Sequence, residues 1–176
     1  TLFRESGNKN GIANSLRGIG NVAFFLSEFT EAKKHFEESL ELRRETGDNE
    51  NIAEALRSIG NVLSETGNHL QAHKFYKEAL GLSLEMKNKS GILSSLIGFT
   101  MVLSSDNHFL QASQILGSVE TAINTLSNGL GKIDQILKEK IAKEIQIKVN
   151  EKEFSKYFEE GKKMTLDEAC QMIFDF

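Results

Sequence analysis

The chain of 176 residues contains no proline, no tryptophan and a single cysteine. Folds with many strands and turns normally use some proline, so its absence favours helices joined by glycine- and asparagine-rich turns. Cys170 has no second cysteine to pair with, which excludes an internal disulfide and fits a reducing, cytoplasmic location. No apolar run approaches the roughly 18 residues of a membrane-spanning helix, and no signal peptide is recognisable.

The chain also has no excess of positively charged residues. Asp and Glu number 25 against 21 Lys and Arg, which gives a net charge of −4. A slightly acidic chain without a row of basic residues is not expected to bind nucleic acid directly or to bind an anionic membrane. Hydrophobic residues make up 39% of the chain, which is enough for a continuous core.

A repeat with a period of 40 residues is the strongest pattern in the sequence. The heptapeptide LRGIGNV at 16–22 returns as LRSIGNV at 56–62, and LIGFTMV stands at 96–102 where a third copy is due. Leu, Ile, Gly and Val of both copies are predicted to be helix-stacking residues. A period of this length indicates a stacked-repeat fold rather than an active site. Within each unit the apolar residues recur at i, i+3, i+4 and i+7 in two segments, which predicts a pair of amphipathic helices. The same shift aligns Ile12, Ile52 and Ile92; Ala32, Ala72 and Ala112; and Phe36, Tyr76 and Leu116.

These Leu, Ile-Gly, Ala and Phe/Tyr positions resemble the tetratricopeptide repeat, although no Trp opens the unit and no Pro closes it. The resemblance implies an all-α, right-handed α-α superhelix of about three helix-turn-helix units of 40 residues, with a C-terminal helical cap. The first segment, LFRESGN at 2–8, aligns with LRRETGD at 42–48, which predicts the tail of a truncated preceding repeat in a C-terminal fragment of a longer protein. The predicted divisions are 1–10 for this tail, 11–50 and 51–90 for two good units, 91–128 for a divergent third unit and 129–176 for the cap.

The C-terminal segment carries its own helix signals and a second resemblance. Thr165 to Glu168 is a capping-box pattern, and the segments ILGSVE at 115–120 and FSKYFEEGKKMTLDEA at 154–169 stand in a fixed order. Together they resemble the closing region of bacterial regulatory ATPases and transcriptional regulators that carry tetratricopeptide repeats. The resemblance implies a bacterial signalling or transcription-regulatory context.

Two glycines at equivalent positions, Gly20 and Gly60, fall inside predicted first helices, where glycine costs about 1 kcal/mol relative to alanine. A cost repeated at one register indicates close approach of the partner helix. The small residues Ala32, Ala72 and Ala112 are predicted to form the opposing surface.

Residues that carry chemistry are few and scattered. GLGK at 129–132 lacks the leading glycine and the Ser/Thr of a phosphate loop, so it is interpreted as a turn. His69 and His73 have the i, i+4 spacing of metal ligands but no evident third ligand, and Cys170 has no evident histidine partner. We therefore expect no catalytic residue, no metal, no cofactor and no enzymatic activity.

A groove for a partner is the remaining functional prediction. The resemblance implies that the first helices line the concave side, where Arg donates to carboxylates and Asn to a peptide backbone. The candidate partner-binding residues are Asn14, Arg17, Asn21, Phe24 and Phe25 in the first unit and Glu54, Arg57, Asn61, Ser64 and Glu65 in the second.

Two alternatives concern this groove. Phe24 and Phe25 either add an apolar pocket to it or pack against a preceding unit. The third unit has Ile97 and Met101 in place of the polar pair, so its groove either binds a ligand or docks the chain's own C-terminal helices.

The expected function is thus a noncatalytic protein-interaction scaffold that binds a peptide or helix segment. The alternative is an oligomerisation or autoinhibitory module that acts through repeat stacking, with self-association through an open N-terminal end.

Overall fold

The computed structural model describes residues 8–126 and 129–176. Most of the predicted tail at 1–10, namely residues 1–7, therefore lies outside the described residues. The described residues form helices and no strand. In chain order the helices are α1 (Lys9–Phe25), α2 (Phe29–Thr46), α3 (Asn49–Glu65), α4 (His69–Glu85), α5 (Lys89–Ser105), α6 (Phe109–Ile123), α7 (Lys132–Val149), α8 (Glu151–Gly161) and α9 (Leu166–Asp175).

The period of 40 residues is visible in the helix caps. The side chains of Asn8, Asp48 and Asn88 each accept a hydrogen bond from the backbone N–H three residues later, at the start of α1, α3 and α5. Such N-caps satisfy one of the backbone donors that a helix leaves free at its first turn. Each first helix therefore begins at a cap that the sequence repeats.

The turn from a first to a second helix also repeats. Ser27, Gly67 and Asn107 all have positive φ, at 61°, 79° and 64°, immediately before the caps of α2, α4 and α6. A tight reversal through the left-handed region places the two helices of a unit side by side. Glycine, asparagine and serine are common at such turns, because glycine tolerates a positive φ and the side chains of asparagine and serine bond to the nearby backbone.

The helices are stacked in pairs. Helix α1 packs against α2, α3 against α4 and α5 against α6, and the pairs are joined by packing of α2 on α3 and of α4 on α5. The core between them is continuous and includes Leu56, Tyr76, Leu96 and Leu116, all at 1% exposure or less. The structure confirms the all-α fold and shows a helical solenoid of the tetratricopeptide type.

The last three helices cover the end and one side of this stack. Helix α7 packs on α5 and α6, α8 packs on α6, and α9 packs on α4, α5 and α6. At the crossing of α6 and α8, a Cβ built on Gly117 would lie 2.0 Å from the carbonyl oxygen of Phe158, and one built on Gly161 would lie 2.0 Å from that of Gln114. The two backbones touch at these glycines.

The prediction that small alanine residues lie opposite the repeated glycines is wrong. A Cβ on Gly20 would lie 2.6 Å from the ring of Phe36, and one on Gly60 would lie 2.7 Å from the ring of Tyr76. The glycines thus make room for aromatic rings of the second helices, not for the alanines at 32, 72 and 112. An aromatic ring needs more depth than a methyl group, and glycine provides it on the facing helix.

The predicted stacking role of the heptapeptide holds for the second copy and fails for part of the first. Ile59 and Val62 are 0% and 1% exposed, whereas Ile19 and Val22 are 51% and 61% exposed. Ile59 and Val62 belong to α3, which is covered by α2. Among the described residues no helix packs on the corresponding face of α1.

Candidate binding groove

The first helices α1, α3 and α5 form one side of the stack, and helix α7 lies across part of it. Ser94 of α5 donates to Asp134 of α7 at 2.7 Å, and Lys140 of α7 pairs with Glu65 of α3 at 2.5 Å. Below these contacts Leu137 and Ile141 of α7 are buried. Helix α7 therefore fills the groove over α5 and over the C-terminal part of α3.

This docking accounts for the divergent third unit. Ile97 is fully buried and Met101 is 8% exposed, and Met101 shares a small cleft with Ile141 of α7. Apolar residues at these positions match a surface that is permanently covered by another helix of the same chain. Of the two alternatives for the third unit, the structure shows docking of the chain's own C-terminal helix.

An open part of the groove remains between α1, α3 and the first turn of α7, and we call it the Arg57 cleft. It has a volume of about 320 Å³. It is lined by Arg17, Glu54, Arg57, Ser58, Asn61 and the segment from Gly131 to Asp134. Of the ten predicted groove residues, the structure brings four together here: Arg17, Glu54, Arg57 and Asn61.

The two arginines of the cleft differ in their partners. Arg17 Nη1 donates to Glu54 Oε1 at 2.8 Å, with both side chains about one third exposed. Arg57 has no carboxylate within ion-pair distance among the described residues, and its Nη1 is buried without a hydrogen-bond acceptor. A buried guanidinium nitrogen without an acceptor is unusual, because the lost hydration is not replaced.

Burial and charge act in opposite directions on Arg57. Burial lowers the pKa of the Arg57 guanidinium, and the carboxylates of Asp134, Glu54 and Glu50 partly oppose this. On the other side of the cleft, burial raises the pKa of Asp134, while the hydrogen bond from Ser94 and the charge of Arg57 lower it. Arginine remains charged under such conditions, so the cleft holds a cation with an unused donor.

Four predicted groove residues serve contacts within the fold. Asn14 accepts from the guanidinium of Arg43, a side chain 2% exposed that also donates to Asn10 and Asp48. These contacts tie α1 to α2 and to the start of α3.

The other three lie on α3. Asn61 accepts from the hydroxyl of Tyr76 at 2.8 Å and Ser64 lies 3.4 Å from the same oxygen, while Glu65 is held by Lys140. Asn61 is therefore both a cleft residue and a partner of the core tyrosine.

The remaining predicted residues lie at the C-terminal half of α1. Phe24 is partly buried and packs edge-on against Phe29 at 5.8 Å between ring centroids. Phe25 is 52% exposed, and by 100° steps it lies with Ile19 and Val22 rather than with Arg17. Asn21 is partly buried. The structure thus does not bring the two phenylalanines into the Arg57 cleft.

Docking of the C-terminal helices was one of the predicted alternatives, but the residues that α7 and its start contribute to the groove were not predicted. Asp134, Lys140 and the backbone at Gly131 border the groove, and none of them belongs to the repeats. The apolar spacing of α7 was visible in the sequence, but its spacing gives no information on where the helix docks.

Two other candidate residues, His73 and Cys170, make packing contacts within the fold. His73 Nε2 donates to the carbonyl of Ile173 at 2.9 Å and its ring lies 5.1 Å from that of Phe99. Cys170 is buried, and burial raises the pKa of its thiol to about 11. In the residues described, no group of three or more His, Cys, Asp or Glu side chains is arranged to hold a metal ion. None of the helices in these residues combines the length and the apolar character of a membrane span.

Comparison with known families agrees with this geometry. The family model of the tetratricopeptide repeat matches residues 11–85, which are the helices α1 to α4 with their turns. A comparison with curated proteins found no match. The family match, the period and the stacked helix pairs support a tetratricopeptide repeat protein. Such repeats generally mediate protein–protein interaction and are typically noncatalytic scaffolds.

Proposed function

We propose that this helical solenoid is a protein-interaction module that binds an acidic peptide segment in the Arg57 cleft. The observation that carries the proposal is Arg57, a residue that lines a cleft of about 320 Å³ and whose buried Nη1 has no hydrogen-bond acceptor among the described residues. A carboxylate from a partner would supply the missing acceptor. It would also offset the burial of the guanidinium charge.

The arrangement of charges favours a carboxylate over a group with more negative charge. Arg17 and Lys132 add positive charge around Arg57, while Glu54 and Asp134 add two carboxyl groups to the same cleft. Glu54 accepts a hydrogen bond from Arg17, and Asp134 accepts one from Ser94. A single carboxylate of the peptide can therefore pair with Arg57, the arginine of the cleft that has no carboxylate partner in the described part of the chain. A dianionic phosphate would face two carboxylates at close range.

An extended segment fits the space better than a helix. Helix α7 already occupies the groove over α5, and the Arg57 cleft is bordered by its first turn at Gly131. A second helix, with a diameter of about 10 Å, would fit in the groove only if α7 moved away from it. A strand-like peptide with an acidic side chain requires no such change.

The wider setting of this function is part of the proposal. A bacterial signalling or transcription-regulatory protein in the cytoplasm is supported by the resemblance of residues 115–120 and 154–169 to the closing region of such regulators. In that setting the segment that binds would come from a partner protein or from another domain of the same protein.

The proposal can be tested with peptides selected on the chain from a random displayed library. We expect enrichment of sequences with Asp or Glu and measure the binding of one synthetic peptide by calorimetry. Because a hydrogen bond between charged groups contributes about 1.5–3 kcal/mol, Arg57→Gln should weaken binding by roughly 10- to 100-fold.

A matched control is available on the opposite side of the stack. Arg44 pairs with Glu78 at 3.1 Å between α2 and α4, and both side chains are about half exposed. Arg44→Gln should change the affinity less than about twofold, since exposed ion pairs contribute little. Equal affinity of wild type and Arg57→Gln, with an unchanged circular dichroism spectrum, would remove the cleft from the binding site.

A further inference from the structure

A second cleft lies between α2, the end of α3 and the start of α4, with a volume of about 520 Å³. Its lining includes the buried side chain of Val62 and the partly buried ring of Phe29. Polar side chains also line it, among them Lys33, Glu37 and Asn68. We call this space the Lys33 cleft. It and the Arg57 cleft have no lining residue in common among those described, so it is a separate candidate site.

The following repeat has an equivalent cleft, which we call the His73 cleft. It has a volume of about 310 Å³ and lies between α4, the end of α5 and Phe176. A shift of 40 residues carries five residues of the Lys33 cleft onto five of the His73 cleft. These pairs are Phe29 and His69, Thr30 and Leu70, Lys33 and His73, Val62 and Val102, and Thr66 and Asp106. The solenoid therefore forms the same surface twice.

The end of α9 is docked at the His73 cleft. The ring of Phe176 lines the cleft and packs edge-on against the ring of His73, at 5.6 Å between centroids. His73 Nε2 donates to the carbonyl of Ile173 at 2.9 Å, and Lys77 Nζ donates to that of Phe174 at 3.0 Å. Carbonyls in the last turn of a helix have no donor within the helix, and cationic donors there are stabilising. The chain itself thus shows which kind of segment this surface binds.

The Lys33 cleft is open where the His73 cleft is filled. Among residues 8–126 and 129–176, none of the C-terminal helices α7, α8 and α9 contacts α2. Lys33 occupies the position of His73, so its ammonium can donate to a helix carbonyl in the same way. An aromatic ring placed beside Val62 would also lie near this ammonium, and a ring face attracts a cation. The lining therefore suits a helix end that carries an aromatic residue.

One position differs between the two clefts and selects the ligand. Glu37 stands one period before Lys77, whose Nζ lies 5.4 Å from the centre of the Phe174 ring. A carboxylate cannot replace the contacts of this lysine, because it has no proton to donate and is repelled by the negative face of a ring. It attracts a cation instead. In the open cleft Glu37 pairs with Lys33 at 2.9 Å, and both side chains are nearly half exposed, so this pair costs little to rearrange.

We propose that the Lys33 cleft binds the end of a helix from a partner protein, with an aromatic residue preceded two positions earlier by Lys or Arg. Lys33 donates to a carbonyl in the last turn of this helix, the aromatic ring packs beside Val62, and the basic residue pairs with Glu37. The spacing of two residues is that of Phe174 and Phe176, which contact the equivalent positions at the His73 cleft. The partner segment is thus chemically distinct from the acidic segment proposed for the Arg57 cleft.

A labelled peptide based on the end of α9 tests the site. It has the sequence of residues 165–176 with Phe174→Lys, which creates the proposed pattern, and Cys170→Ala, which prevents disulfides. Fluorescence anisotropy should give a dissociation constant of roughly 10–100 µM with the wild-type chain. Lys33→Glu should weaken binding at least roughly tenfold, because it replaces a charged donor by an acceptor. Lys143→Glu is the matched control, since Lys143 is exposed on α7, and it should change the affinity less than about twofold.

An exchange of charge tests the pairing with Glu37. The wild type should bind the peptide that keeps Phe174 at least roughly fivefold more weakly than the Phe174→Lys peptide. In Glu37→Lys, which reproduces the arrangement at Lys77, the order of the two peptides should reverse. Binding that Lys33→Glu leaves unchanged would place the peptide elsewhere on the chain and overturn the proposal. So would the absence of binding at roughly 1 mM peptide, or the same order of the two peptides in Glu37→Lys.

Discussion

The ring of Tyr76 is held between glycines of two neighbouring helices, and a methyl group added at Gly98 should destabilise the chain. A Cβ at Gly98 would lie 2.3 Å from Tyr76 Cε1, and one at Gly60 would lie 2.7 Å from the same atom. The ring is fully buried and its hydroxyl donates to Asn61 at 2.8 Å. It cannot move away from α5 without pressing on α3 or losing this hydrogen bond.

The expected magnitude follows from two opposed effects. Replacing glycine by alanine inside a helix stabilises it by about 1 kcal/mol. Overpacking a filled core costs about 1–3 kcal/mol, and we take the upper end because the ring is confined on both sides. Gly98→Ala should therefore lower the free energy of unfolding by about 2 kcal/mol.

Urea denaturation followed by circular dichroism measures this change. Gly81 provides the control, since it lies inside α4 and a Cβ there would meet nothing within 4 Å. Gly81→Ala should raise the free energy of unfolding by about 1 kcal/mol, so the two alanine variants should differ by about 3 kcal/mol.

A double-mutant cycle identifies the ring as the cause. With Tyr76→Leu in the background, Gly98→Ala should cost much less, because the clashing Cε1 atom is gone. If Gly98→Ala instead stabilises the chain as Gly81→Ala does, or if its cost is the same with and without the tyrosine, the sandwich of Tyr76 does not constrain Gly98.

Two further predictions concern the C-terminal helices. Gly117→Ala should destabilise the chain by about 3 kcal/mol or more, because its Cβ would lie 2.0 Å from the backbone oxygen of Phe158. Urea denaturation measures this change. A free energy of unfolding that does not fall below that of the wild type would contradict the prediction. Asp134→Asn should make the chain more stable at pH 7, because burial raises the pKa of Asp134 and its ionised form is the disfavoured one. Since a raised pKa means that the folded state binds the proton more tightly, wild-type stability should rise relative to Asp134→Asn as the pH falls through that pKa toward 4; a pH-independent difference would contradict this.

The helix pairs were accessible from the sequence because they rest on local signals. The caps Asn8, Asp48 and Asn88 are spaced by the repeat and each satisfies a backbone donor within its own helix. Apolar spacing defines which face of each helix is buried. These properties depend on residues a few positions apart, so a single chain reveals them.

The candidate site was only partly accessible. Arg17 and Arg57 were identified from their direction on the first helices, and the structure places both in one cleft. Asn14 was predicted on the same basis, but its side chain accepts a hydrogen bond from Arg43 of the second helix. The sequence cannot show such a contact, because a polar residue on a helix face has the same local pattern whether its partner is water, a ligand or a neighbouring side chain.

What the sequence by itself determined is the period of 40 residues, the alternation of first and second helices and the polarity of their faces, all of which follow from helical geometry. Only the tertiary structure decided that Tyr76, not an alanine, fills the space at Gly60, and that α7 covers α5 and leaves Arg57 beside an open cleft. It also decided that Ile19 and Val22 are exposed while Ile59 and Val62 are buried. The physical reason is that burial depends on which helix lies opposite, and that helix comes from a distant part of the chain.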